Sequence, residues 1–345
     1  MENIHVRKIQ ITGGSTFIIS LPKNWVSQMA LEKGSLVSLI VQNNGSLLID
    51  PKGEKEILEK SKASLKIEMN DESTLILRKI VSTYLIGYNR IHISVRNGKL
   101  TLSQRNRIKG FVRQKLVGTE IIEDSSEEMT LKVLLSYSEI SVQNALRRTA
   151  IIAAAMHEDA VRSLKDFDKE LAREVIAMDD EVDRFALYVI RELKAATEDE
   201  KIFGETGFSS RREILGYRLI TKSIERTADH AVNIAENVVK IMRPFDNQII
   251  DEIIKTSSLA LSVFEEAMES LFRKDPEQAN KIVQQAEKIA EGKDKLMNRV
   301  LEISDIKEVA SLSLIIESVS RTIEYASDIA EIVMNMNIEE LLTET

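Results

Sequence analysis

The sequence predicts a multidomain α+β chain: a small β-hairpin unit, a short α/β segment, and two tandem three-helix bundles. Three observations carry this prediction. Short β-rich runs punctuated by Gly and Asn fill the first 50 residues. From about residue 131 the apolar residues recur at helical spacings of three and four, through long stretches without Gly or Pro. The helical part also repeats itself.

The runs HVRKIQIT, FIISLP, SLVSLIVQ and SLLIDP read as strands, with turns at Gly13-Gly14, Gly34 and Asn43-Asn44-Gly45. A short helix, NWVSQMAL, follows Pro22. These elements define a unit over residues 1–52. Residues 53–130 read as strand LKIEM, helix ESTLILRKIVSTYLIGY, strand RIHISV, helix SQRNRIKGFVRQKL and strands TEIIED and MTLKVLL. About six helices follow, with breaks near 166–168, 196–210, 243–247, 274–276 and 302–305. Short connections of this kind join antiparallel helices in bundles.

The repeat fixes the organisation of those helices. Ala160, Ser163, Leu164 and Asp168 correspond to Ala267, Ser270, Leu271 and Asp275 at an offset of 107. Arg226-Thr227, Ala231 and Ile234-Ala235-Glu236 correspond to Arg321-Thr322, Ala326 and Ile329-Ala330-Glu331 at an offset of 95. The difference of 12 falls in the longer loop ATEDEKIFGETGFSS of the first copy. The two copies occupy residues 131–240 and 246–340.

Composition narrows the function classes. The chain has no cysteine, which removes disulfides, thiolate metal sites and thiol catalysis and fits a reducing, cytoplasmic setting. There is no signal-peptide pattern and no apolar run of membrane-spanning length. Enzyme chemistry has little support: no pair of Glu-x-x-His motifs, no P-loop, no nucleophile elbow, and four scattered histidines. The net charge of −8 divides unevenly, +2 over residues 1–52, +3 over 53–130 and −13 over 131–345. A basic front and an acidic back imply different partners.

Two sets of residues are candidates for a site. Glu225, Asp229, Asn233 and Glu236 fall at about 0°, 40°, 80° and 20° around one helix, a single polar stripe opposite an apolar face. Asp179 and Asp183 stand at the same i, i+4 spacing on the preceding helix. Adjacent carboxylates repel, and a hard cation such as magnesium, manganese, calcium or iron relieves that repulsion. A solvated acidic helix face has the same spacing, so both readings stand on spacing alone. His230 lies off the stripe, at about 140°. The second set is basic. Arg7, Lys8 and Lys23 in the hairpin unit are candidates for phosphate contacts. A second basic patch spans Arg96 to Lys115 without an acid and includes Arg105, Arg107, Lys109 and Arg113. It extends a DNA footprint, meets an acidic partner, or neutralises the chain's own acids.

The run from Ile224 to Glu236, IERTADHAVNIAE, resembles the signature helix of the PhoU family. That resemblance implies two tandem three-helix bundles, multinuclear clusters of iron or zinc held through Glu-x-x-x-Asp motifs, and control of phosphate uptake through a transporter ATPase and a signalling kinase. It places metal at Glu225, Asp229, Asp179 and Asp183. The second copy departs from the motif. Ser320 and Glu324 replace Glu225 and Asp229, Ala286 and Ala290 replace Asp179 and Asp183, and only Asp328 and Glu331 keep oxygens in the stripe. Asp294 substitutes only with a shift of helix register. The run RKIQITGGSTFIISLPKNWVSQMALEKGSLVSLIV with GSLLIDP resembles the AbrB/MazE-type swapped-hairpin domain. There two chains interleave hairpins into one β-barrel, so each contributes half, and the dimer presents basic loops to promoter DNA or serves only to dimerise. The combination implies a homodimeric, metal-binding, DNA-binding regulator of phosphate uptake. The alternative is an interaction protein acting on the transporter or kinase without DNA.

Overall fold

The protein was described from a computed structural model that covers residues 5–41, 45–51, 62–96, 98–135, 139–245 and 247–342. The chain divides into two units, Met1–Glu59 and Lys60–Thr345.

In the first unit β1 (Gln10–Thr12) and β2 (Thr16–Ile18) form an antiparallel ladder that pairs Gln10 with Ile18 and Thr12 with Thr16. The turn between them runs through Gly13 and Gly14 at φ 61° and 84°, backbone that favours glycine. Helix α1 (Lys23–Gln28) follows Pro22, and β3 (Ser38–Val41) pairs antiparallel with β4 (Leu47–Asp50). The two ladders are separate sheets with no closed barrel among the described residues. The first strand is shorter than its sequence suggests, because β2 offers no partner to residues 5–9. Arg7 and Lys8 therefore lie ahead of the ladder, exposed. Helix α1 stops at Gln28 rather than reaching Leu31, and Ala30 turns left-handed at φ 51°. Asn43-Asn44 and the 52/53 boundary lie outside the described residues.

The second unit opens with β5 (Lys62–Glu68), α2 (Ser73–Ile86), β6 (Arg90–Arg96), α3 (Leu102–Lys115), β7 (Thr119–Asp124) and β8 (Glu128–Val133). The strands make one sheet in the order β5-β6-β8-β7, parallel between β5 and β6 and otherwise antiparallel. Helix α2 ends at left-handed Gly87 (φ 106°), and Thr101 with Gln104 forms a capping box at the start of α3. Ile76, Ile80, Tyr84, Ile108 and Val112 of these helices bury against Ile67, Ile91, Ile93, Met129 and Leu131 of the sheet.

The helical region follows as α4 (Val142–Asp166), α5 (Lys169–Glu198), α6 (Glu200–Thr206), α7 (Arg211–Lys240), α8 (Asn247–Arg273), α9 (Pro276–Ala290), α10 (Lys293–Leu301) and α11 (Ile306–Asn337). The internal repeat is written into the backbone. Helices α4 and α8 end at Phe167 and Lys274, non-glycine residues at φ 54° and 56° that stand 107 positions apart. Asp168 and Asp275 then cap the next helices through their side chains, at 3.0 Å to Leu171 N and 2.9 Å to Gln278 N. One contiguous core joins both copies. Two connections differ from expectation. The loop 196–210 contains helix α6, because Ile202, Phe203 and Phe208 bury against the bundle. The expected single helix 276–301 breaks at Glu291-Gly292 into α9 and α10.

The α/β segment packs on α5 through α2 and α3. Arg191 of α5 is buried and caps the end of α2, donating to the carbonyls of Tyr84, Gly87 (3.1 Å) and Tyr88 (3.2 Å) and to Asn89 Oδ1 at 2.7 Å. A free C-terminal carbonyl row attracts a cation, and the guanidinium supplies it with geometry.

A polar seam joins the two repeats. Fully buried His157 of α4 lies 2.8 Å from Ser257 Oγ of α8 through Nε2 and 3.3 Å from Thr322 Oγ1 of α11 through Nδ1. Burial, with the neighbouring His230 in second place, lowers its pKa from 6.5 to about 4. The unfolded chain therefore takes up a proton at His157 below pH 6.5 that the folded chain refuses until about pH 4. Folding stability falls as pH drops through that window, by about 3 kcal/mol at the lower end. The denaturation free energy of His157→Gln is expected to fall less between pH 6.5 and 4.5 than that of the parent. Equal falls in the two proteins would refute the assignment.

Candidate functional site

Helices α5 and α7 run antiparallel: Arg211 at the start of α7 donates to Thr197 O at 2.6 Å near the end of α5, while Asp183 and Asp229 feel each other's charge further along. This arrangement places Asp179 and Asp183 of α5 within electrostatic range of Asp229 of α7, which Glu225 also influences. Burial first and the charge of Asp183 next raise the Asp179 pKa to about 6, with Asp229 adding to the shift. Asp179 Oδ1 is buried without a hydrogen-bond partner among the described residues. Asp229 is raised by burial and then by Glu225, although its side chain still reaches solvent. Asn233 and Glu236, further along α7, are exposed, and Glu236 pairs with Lys240 at 3.7 Å.

Two lysines enter this group. Lys115, at the end of α3, sits 2.6 Å from Asp183 Oδ2 and 2.5 Å from Asp180 Oδ1. Lys222 pairs with Glu225. The sequence marks Lys115 only as the end of the basic patch, not as a partner of these carboxylates, and does not mark Lys222. Lys115 meets Asp183 across 68 positions, a separation that leaves no periodic signal, whereas Lys222 stands at i, i+3 from Glu225 and was open to detection. Among the described residues no three His, Asp or Glu side chains converge as metal ligands. The donor chemistry nevertheless suits a hard cation, because all the donors are oxygen and one buried carboxylate oxygen has no partner. Lys115 and Lys222 occupy Asp183 and Glu225, two of these donors.

The second repeat is wired differently. Ser320 is buried and returns its hydroxyl to Ile316 O at 3.0 Å, and Ala286 is buried against the core. Lys293, Glu317, Arg321 and Glu324 form a chain of ion pairs at 2.5, 2.9 and 2.6 Å. Asp328 has a raised pKa, from burial first and Glu324 next. Glu331, Ala290 and Asp294 are exposed. His230 is a helix–helix contact, 3.2 Å from Ser318 Oγ and 3.4 Å from Tyr325 OH of α11.

The basic candidates also separate. Arg7, Lys8 and Lys23 are exposed, the last as the first residue of α1. In the second patch Arg105 (2.7 Å) and Lys109 both hold Asp124, and Arg96 and Lys99 meet Glu68 and Glu127 at 3.4 and 3.8 Å. Arg107 and Arg113 remain exposed. Most of this patch thus neutralises the chain's own acids.

The family model of the PhoU domain matches residues 146–238 and 253–333, half of the chain in two copies. The chain belongs to the PhoU family. A second family model, antidote-toxin recognition MazE, a bacterial antitoxin, matches residues 10–57, so a MazE/AbrB-like domain precedes the PhoU bundles. Among solved structures, the chain is similar to the phosphate transport system regulatory protein PhoU from Streptococcus pneumoniae. That likeness has 19% identity and a TM-score of 0.50 and covers 59% of this chain and 96% of that one. PhoU from Pseudomonas aeruginosa is similar at 19% identity and TM-score 0.50, over 57% of this chain and 96% of its own. At these identities the likeness speaks for the fold alone. No curated protein matches the chain. Both PhoU structures are covered almost whole by little more than half of this chain, so the remainder is an addition to the PhoU fold.

Proposed function

We propose that this PhoU-family chain is a non-enzymatic, cytoplasmic regulator of phosphate uptake that binds promoter DNA as a dimer through its hairpin unit. The observation that carries this reading is the hairpin unit itself. None of its described residues is buried, and Phe17, Leu36 and Val41 are 72%, 87% and 77% exposed. Two short ladders with that much apolar surface need a partner, and a second copy that interleaves its ladders supplies one. Dimerisation doubles Arg7, Lys8 and Lys23, giving about six phosphate contacts, enough for salt-sensitive binding. Light scattering of the full chain at micromolar concentration is expected to give twice the 39.0 kDa chain mass. A monomer would remove the basis for the DNA reading.

In the bundles, Asp179, Asp183, Glu225 and Asp229 would hold a metal ion, among iron, zinc, manganese and magnesium, with Asn233 and Glu236 at the outer end of the stripe. An ion held there would neutralise these carboxylates and would tie α5 to α7. Lys115 then acts as a competing internal cation, so occupancy of the site is coupled to the docking of α3. One observation favours a second reading, in which the hairpins only dimerise and the bundles act on a transporter ATPase or signalling kinase. The patch around Arg105 and Lys109 is spent on Asp124, which leaves fewer cations for DNA. A mobility shift against DNA upstream of the chain's own gene separates the two.

A further inference from the structure

Helices α4 and α8, the first helix of each repeat, pack together with a groove between them. The groove has two compartments, of about 320 and 490 Å3, that share Glu158, Leu261 and Glu265. At the repeat offset of 107, the α4 wall of the first compartment becomes the α8 wall of the second. Arg147, Ile151, Ala154 and Glu158 map to Ile254, Ser258, Leu261 and Glu265. On the opposite walls Met268, Glu269 and Phe272 map back to Val161, Arg162 and Lys165. The groove therefore has an approximate two-fold axis at Glu158 and Glu265, and its halves have diverged in chemistry.

The first half is mainly apolar, and its further acid, Glu269, is held by Arg273 at 2.6 Å. Ile151 is 63% exposed beside Ala154, Met268 and Phe272, and the Arg147 guanidinium lies 3.9 Å from the Phe272 ring centre. The second half carries Ser258, Ser262, Arg162 and Lys165. At the centre Glu158 and Glu265 are exposed, and neither has a basic partner among the described residues. Arg162, one turn from Glu158, is taken by Asp159 at 2.8 Å. Two facing acids without counter-charge, between an apolar and a basic end, form an asymmetric template. The α4 wall from Arg147 to Lys165 spans about 27 Å at 1.5 Å per residue, the length of an 18-residue helix.

We infer that this groove docks an amphipathic helix of a partner protein. The helix lays apolar side chains in the first compartment, a Lys or Arg between Glu158 and Glu265, and a carboxylate toward Lys165, since Arg162 is held by Asp159. A second copy of this chain seated groove to groove fits poorly, because it would bring four carboxylates together at the centre. The inference is independent of metal and of DNA.

The test uses the full chain and two fluorescein-labelled, lactam-stapled 18-residue peptides of identical composition. One presents Leu, Lys and Glu in the order of the template; the control exchanges the Lys and Glu positions. Anisotropy titrations are expected to show the first peptide binding at least tenfold tighter. Glu158→Lys with Glu265→Lys should reverse that preference, and Ile151→Asp should abolish binding of both peptides. All three positions are exposed, so the fold survives, which circular dichroism checks. Equal affinities, no binding of either peptide, or indifference to the charge reversal would overturn the inference. So would light scattering in which Ile151→Asp halves the mass of the full chain, since the groove would then belong to a second copy.

Discussion

If the first repeat holds the proposed metal, Asp229→Ala is expected to weaken its binding by about a hundredfold or more. Loss of even an outer-sphere partner commonly weakens a metal site 10- to 100-fold, and a direct oxygen ligand contributes more. The same substitution should leave the metal-free protein as stable as before or more so. Burial and Glu225 already disfavour the charged form of Asp229, so removing it at neutral pH relieves repulsion. Elemental analysis after dialysis against manganese reads the first effect and chemical denaturation the second. Unchanged metal content in the variant would place the metal elsewhere. Lys115→Gln should act in the opposite direction and tighten manganese by about tenfold, because the ammonium no longer competes for Asp183. In the parent, amide exchange along α3 should rise when manganese is added.

The stripe was legible because a helix repeats its faces. Glu225 and Asp229 had to share a side of α7, and α5 precedes it in the same three-helix unit, where successive helices pack antiparallel. The repeat was legible for a similar reason, since Asp168 and Asp275 do identical capping work after identical left-handed turns. What stayed hidden depends on contacts distant in sequence. Lys115 and Arg191 reach across 68 and more than 100 positions to fasten the α/β segment onto α5, and no local pattern announces such contacts. Helix α6 escaped notice because its apolar residues, Ile202 and Phe203, are too few to show a period. The basic run from Arg96 to Lys115 looked free of acids only along the chain. In space Asp124 lies beside Arg105 and Lys109, and Asp183 beside Lys115.

The central claim is a division of labour, with DNA at the front and regulation at the back. The helical region carries −13 and repels a polyanion, so the attraction comes from the front of the chain, from the hairpin unit or from the patch Arg96–Lys115. Arg7→Ala with Lys8→Ala should weaken binding and lower the salt slope by about two per chain, each phosphate contact contributing about 0.9. Charge reversal at Arg105 and Arg107 should do less, because Arg105 is already held by Asp124. A truncated chain tests the claim most directly, and it must be cut before Lys62. A cut at residue 131 would remove the α2 terminus that Arg191 caps and the lysine that meets Asp183. The measurement is a mobility shift of the full chain and of residues 60–345 on DNA upstream of the chain's own gene. The full chain is expected to shift that DNA at submicromolar concentration and low salt, and residues 60–345 to leave it unshifted while staying folded. Equal shifts by the two would contradict the account and move the DNA contact into the PhoU bundles or the α/β segment.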